Sequence, residues 1–278
     1  MVDIVYAAPT EYHGLQVVLA ATFFTLQVYG DFSGYSDIAI GLSRIFGFDL
    51  QSNFKTPFFS RTIAEFWNRW HISLNTWFRD YLYIPLGGSR VSTFRRHLNT
   101  LTIFFISGLW HGASWAFVIW GILNGFYLVF AIQTKSWREK WNNKLGYTDQ
   151  TRLKRVVDSL LVTFLFGLGL LIFRSNSIQD AWSLLTQIPQ GLIHQLTHID
   201  AFVDVVFSLF RSKSELVILT VTTLMMLVID GYIGKTSISQ LLDKWNRTQR
   251  WSFYFVIVTS LVLFGAFSKP ESFVYFQF

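Results

Sequence analysis

His111 is the one histidine in the run Leu101–Phe130, which holds no Asp, Glu, Lys or Arg. An imidazole in so apolar a stretch must have its desolvation offset, which makes it a functional candidate. Glycine stands on both sides of it in Gly108-Leu109-Trp110-His111-Gly112, so a ligand or a second backbone can approach closely. A neutral imidazole in that setting accepts a proton and suits a general base working on an alcohol. A structural histidine bonded across two helices carries the same signature, and residue type alone leaves both readings open. His71 is the second candidate. By position it is a polar residue at the edge of an interfacial helix, with Asn75 one turn further on. A third group is Asp31, Ser33 and Asp37, which follow an apolar block directly. Two carboxylates at membrane depth are expensive unless paired or facing water, so packing alone explains them poorly. Gly30 and Gly34, four apart, predict a close-packed helix crossing.

Other chemistries lack their residues. The chain has no cysteine, so thiolate catalysis, disulfides and Cys-ligated metal are excluded. It has no G-x-S-x-G elbow, phosphate-binding loop or dinucleotide fingerprint. His194 and His198 have a spacing that permits metal binding, but no third ligand stands near them, and no metal site is expected. Direct transfer assisted by His111 is simpler than a covalent route.

The elements that must position these residues are membrane helices. Apolar residues make up 51% of the 278 and charged residues only 14%, against about a quarter in soluble domains. The apolar residues come in blocks, Leu15–Tyr29, Leu101–Phe130, Val156–Phe173, Leu216–Ile233 and Phe253–Phe267, several of which approach the roughly 20 residues that cross a bilayer. Leu101–Ala131 would be roughly 46 Å long as one helix, too long for one crossing. Ser107–Gly112 interrupts it, so two short crossings and one broken helix both fit. Glu65–Leu82 reads as one amphipathic helix: at 100° per residue, Phe66, Trp67, Trp70, Leu74, Trp77 and Tyr81 fill a sector of about 100°. That is the profile of an interfacial or re-entrant helix. The basic loop Thr134–Arg155 is predicted to be cytoplasmic, with Arg174–Lys213 on the other side. The net charge of +6 therefore reads as loop charge, and no nucleic-acid partner is expected.

At these residues the sequence resembles the membrane-bound O-acyltransferase family, in particular its bacterial branch for alginate O-acetylation and teichoic acid D-alanylation. The matching stretches are Asp31–Asp37, Asn53–Phe58, Phe66–Leu74, Tyr83–Gly88, Gly108–Gly112 and the terminal Phe273–Phe278. The resemblance implies an all-α polytopic transmembrane bundle with re-entrant and interfacial helices, in a bacterial inner membrane. It makes His111 the signature intramembrane histidine and His71 the second catalytic position. Asp31, Ser33, Asp37, Asn68, Trp70, Asn75 and Trp110 are then substrate-binding or supporting residues. Residues 13–132 carry the motifs and 133–278 supply further transmembrane helices and loops, within one domain spanning 1–278.

The implied reaction moves an acetyl group from a cytoplasmic thioester donor, acetyl-CoA or another acyl thioester, with no tightly bound cofactor, to hydroxyls of an exported polysaccharide such as alginate or another cell-envelope polymer. Membrane lipids and extracytoplasmic O-acetylation proteins are the implied partners. An acyl conduit or a scaffold serving such a partner is the alternative. Proteins of this branch are much longer, and the polar lead Met1–Tyr12 fits a chain that starts at an internal position of such a protein.

Overall fold

In the computed structural model, residues 1–144, 146–147, 151–210, 212–233 and 242–264 are described, and these contain helices but no strand. The terminal Phe273–Phe278 motif lies outside the described residues. The chain divides into two units, Met1–Thr220 and Val221–Phe278, and every candidate residue lies in the first.

A short helix α1 (Val2–Ala7) precedes α2 (Leu15–Ile45), a continuous helix of 31 residues. Residues 53–83 then form short pieces: α3 (Ile63–Trp67), α4 (Ile72–Phe78) and a π-helical turn, Arg79–Tyr83. Helices α5 (Thr93–His111) and α6 (Trp115–Gln133) follow. Beyond them come α7 (Lys135–Lys144), α8 (Arg152–Arg174), α9 (Ile178–Gln187), α10 (Leu192–Thr197) and α11 (Ile199–Ser208). Helices α12 (Lys213–Ile233) and α13 (Arg247–Phe264) are the last described. Among the described residues α2, α6, α8 and α12 are long and apolar enough to span a membrane, so the chain is a multi-pass membrane protein with an all-α fold.

The break at Ser107–Gly112 resolves into a hairpin. Gly108 faces the Phe117 carbonyl and Val118, Gly121 faces the Phe104 carbonyl, and Gly125 faces Phe104 and Leu101, so α5 and α6 run antiparallel in close contact. Ser114 starts α6 by accepting a hydrogen bond from the Ala116 N–H at 3.3 Å, as an N-cap should. The chain turns at Gly112 with φ 148, a backbone conformation that favours glycine. His111 is thereby fixed as the last residue of α5.

Helix α8 packs between α6 and α2. Gly169 lies against Asn124 and Trp120 of α6, and Gly167 against the Thr25 hydroxyl of α2. The segment 175–210 contains three helices, and it caps α2: the Gln195 side chain accepts from the Leu15 N–H at 2.7 Å, and the Gln187 carbonyl from the Gly14 N–H at 2.8 Å. Without them those first N–H groups of α2 have no partner within their own helix. At the same end Val5 and Tyr6 of α1 join Val17, Ala20, Leu171 and Leu184 in one buried cluster.

Two expectations from the sequence are corrected. No described atom comes within 4 Å of a Cβ built at Gly30 or Gly34, so the close-packed crossing expected there is absent among the described residues. The close glycine contact is made instead by Gly108 and Gly121. The single helix expected over Glu65–Leu82 is broken at Asn68–His71. Its backbone groups find better partners outside the helix: the Lys55 N–H donates to the Arg69 carbonyl and the Ile72 N–H to the Asn53 carbonyl, each at 3.0 Å.

Candidate active site

The break that the helical wheel misses is what presents His71. The residue has φ 46 and ψ 53, in the left-handed region, where a side chain costs about 1 kcal/mol or more. The surroundings hold it there. Asn75 Nδ2 donates to the carbonyls of Trp67 and Trp70, 2.6 Å each, satisfying groups that the break releases. Asn53 Oδ1 accepts from the Ser73 N–H (3.2 Å) and hydroxyl (2.5 Å), while Asn53 Nδ2 reaches the Ser36 hydroxyl of α2 at 3.2 Å. Arg69 pairs with Glu65 at 2.6 Å and reaches Thr56. Asn75→Ala strands two carbonyls at this turn and is expected to lower stability by about 1–3 kcal/mol. Thermal unfolding in detergent measures it, and an unchanged midpoint would show that the turn holds without Asn75.

The His71 ring stands perpendicular to Phe32 with centroids 4.7 Å apart, and 6.2 Å from Trp110. Trp110 in turn lies 4.9 Å from His111. On its other sides His111 meets Trp120 at 5.1 Å and Phe173 at 5.0 Å, both near perpendicular. The two imidazoles, 40 residues apart in sequence, thus both lie beside the Trp110 ring. Four elements therefore converge: α2 through Phe32, the α3–α4 turn, the tip of the α5–α6 hairpin and the end of α8. The Trp120 indole N–H is buried with no acceptor among the described residues, an unused donor beside the candidate base.

His71 lies outside the four spanning helices, and burial pushes its pKa down to about 4. It is neutral at physiological pH, so it accepts or donates a hydrogen bond without carrying charge. The sign for stability follows. A pKa lower in the folded than in the unfolded chain contributes stability that is complete above the unfolded value near 6.5 and is lost as pH falls towards 4. Unfolding midpoints should therefore drop between pH 6.5 and 4. In His71→Asn, a residue that tolerates the left-handed region, that drop should shrink. An equal drop in both chains would assign the pH response to other groups.

Of the residues singled out in the sequence, His71, His111 and Trp110 come together, and Asn75 and Trp70 build the turn. Trp70 is buried against Phe54, Phe66 and Phe166 rather than presented to a ligand. Asn68 is exposed, as is Asp37, while Asp31 and Ser33 are half-buried. Ser33 and Asp37 sit about 100° and 140° around α2 from Phe32, so the face that meets His71 does not carry them. Sequence reasoning missed Asn53, Ser36, Ser73, Trp120 and Phe173. Asn53 opens one of the quoted motifs, but nothing local reveals its reach to α2 and α4. His194 and His198 stack with centroids 4.2 Å apart, and no metal-holding group of three appears among the described residues.

Comparison with known proteins gives these positions a context. The family model for MBOAT, the membrane-bound O-acyltransferase family, matches residues 4–158. A probable alginate O-acetylase of Pseudomonas aeruginosa is 42% identical over 166 residues, 60% of this chain and 30% of that protein. A Helicobacter pylori peptidoglycan O-acetyltransferase is 36% identical over 172 residues, 62% of this chain and 31% of that protein. A Bacillus subtilis teichoic acid D-alanyltransferase is 30% identical over 152 residues, 51% of this chain and 37% of that protein. The match thus spans about a third of the length of these relatives.

Proposed function

The chain belongs to the membrane-bound O-acyltransferase family, and on that premise we propose that it transfers an acetyl group from a thioester to a hydroxyl of an exported cell-envelope polysaccharide. One observation carries the reading: His111, at the tip of the α5–α6 hairpin, shares an aromatic enclosure with His71. His111 takes the proton of the acceptor hydroxyl as its oxygen attacks the thioester carbonyl. The C–S bond then breaks, and the thiolate leaves with the proton returned from the imidazolium. His71, neutral and held rigidly by its turn, orients the acceptor hydroxyl through a hydrogen bond. Acetyl is favoured over D-alanyl because the relatives named for O-acetylation match over 60% and 62% of the chain, against 51% and 39% for two D-alanyltransferases. The donor is acetyl-CoA or another acyl thioester. The setting is a bacterial inner membrane, with extracytoplasmic O-acetylation proteins as partners.

The test uses membranes containing the chain, a thioester labelled in its acetyl group, and a polysaccharide acceptor. Alkali-labile label on the polymer is the expected result. Thiol release and acetyl passage to a protein partner, with no requirement for an alcohol, would replace this reading with a conduit. Transfer of D-alanyl in preference to acetyl would overturn the choice of acyl group.

A further inference from the structure

Helix α7 follows the spanning helix α6 after a single residue, Thr134, and leaves an unusual face uncovered. It is a very polar helix, yet Trp137 and Trp141 are 62% and 47% exposed, one turn apart with ring centroids 6.2 Å from each other. At 100° per residue Lys140, Lys144, Trp137 and Trp141 share a sector of about 100°. The Lys144 ammonium lies 5.3 Å from the Trp141 ring. The only acid of the helix, Glu139, sits on the far side and pairs with Lys135 at 3.9 Å. Arg138 does not belong to this face. Its Nη2 donates to the Ala131 carbonyl at 2.7 Å and its Nε to the Thr134 hydroxyl at 3.2 Å, tying α7 to the last turn of α6. The tryptophan–lysine face is therefore fixed where a spanning helix leaves the hydrocarbon. Indole rings favour that level, and anionic headgroups concentrate cations there.

We propose that this face of α7 binds the headgroup layer of the membrane, with Trp137 and Trp141 at the headgroup–acyl boundary and Lys140 and Lys144 on the phosphates of anionic phospholipids. Charge and position select the occupant: the face carries cations and no acid, and it begins one residue beyond a membrane span. The proposal is independent of the acyl chemistry.

The full chain is reconstituted in phosphatidylcholine vesicles, and the motionally restricted fraction of spin-labelled phosphatidylglycerol is compared with that of spin-labelled phosphatidylcholine. The expected result is a preference for phosphatidylglycerol that falls about fivefold in Lys140→Gln/Lys144→Gln and weakens in 1 M salt. Trp137→Ala/Trp141→Ala should reduce the restricted fraction of both lipids. Circular dichroism confirms that the variants keep their helices, as substitutions on an exposed face should. A charge-reversed Lys140→Glu/Lys144→Glu chain provides the second reading and should disfavour phosphatidylglycerol. A preference unchanged in both the neutralised and the reversed chains overturns the proposal and leaves the face to an acidic protein partner.

Discussion

His111→Gln is expected to lower acyl transfer by about 10²–10⁴-fold, the usual contribution of a positioned general base, and to leave the fold in place. Glutamine keeps a polar side chain of similar reach at the tip of the α5–α6 hairpin but has no basic nitrogen. The loss should fall on kcat, because the base acts on the proton in the transition state and adds little to binding of the thioester. The competing reading of the residue, a packing histidine, makes the opposite forecast. His111 is half-buried among Trp110, Trp120 and Phe173, and a purely structural role there would show as a lower unfolding midpoint with activity falling in proportion. Label transfer and thermal unfolding measured on one preparation separate the two. Near-normal kcat in a stably folded His111→Gln protein would remove His111 from the chemistry. His71→Asn is the companion variant. Its backbone accepts the left-handed turn, so a fall in activity there reports the imidazole and not the fold.

The contrast between these two histidines shows how far local pattern reaches. His111 stands out in sequence because desolvation makes an imidazole in an apolar run conspicuous, and the Gly-Leu-Trp-His-Gly break marks where the run must turn back. That the run could not be one straight crossing was legible from length alone, since about 31 residues exceed one bilayer. His71 was legible as a candidate but not as a geometry. Its wheel is consistent with an unbroken amphipathic helix, and helical periodicity carries no information about Lys55 and Asn53, 14 and 19 residues from their partners Arg69 and Ile72, taking over backbone groups at the turn. The enclosure around His111 was hidden for the same reason. Phe173 reads as an ordinary member of an apolar block and Phe32 as an apolar residue within the Asp31–Asp37 motif, and only the packing of α8 and α2 makes them walls of the site. The small-residue rule located the right kind of contact at the wrong glycines, because Gly30 and Gly34 have the spacing but Gly108 and Gly121 have the neighbours.

Gly121→Val tests that last point and carries a large expected structural effect. A Cβ at Gly121 would run into the Phe104 carbonyl oxygen and come within 3.1 Å of the Gly108 nitrogen and 3.2 Å of its Cα. These are backbone atoms, so no side-chain rotation relieves the overlap, and α5 must move away from α6 as a body. In a membrane the two helices gain little from apolar burial, since lipid is as apolar as leucine; close backbone approach is what favours their contact. Overpacking of a well-fitted contact costs about 1–3 kcal/mol, and more where the backbone itself is struck. His111 ends α5 and the Trp120 beside it is one residue from Gly121, so separating the helices also opens the enclosure. Activity is therefore expected to disappear together with stability, whereas His111→Gln should lower activity alone. Gly34→Ala serves as the control. It stands on a spanning helix like Gly121, but no described atom lies within 4 Å of its Cβ, and its unfolding midpoint should stay at or slightly above the native value, because alanine favours the helix over glycine. Equal midpoints for the native, Gly34→Ala and Gly121→Val chains in detergent would mean that the hairpin is not held by this contact, and that His111 owes its position to the aromatic walls instead.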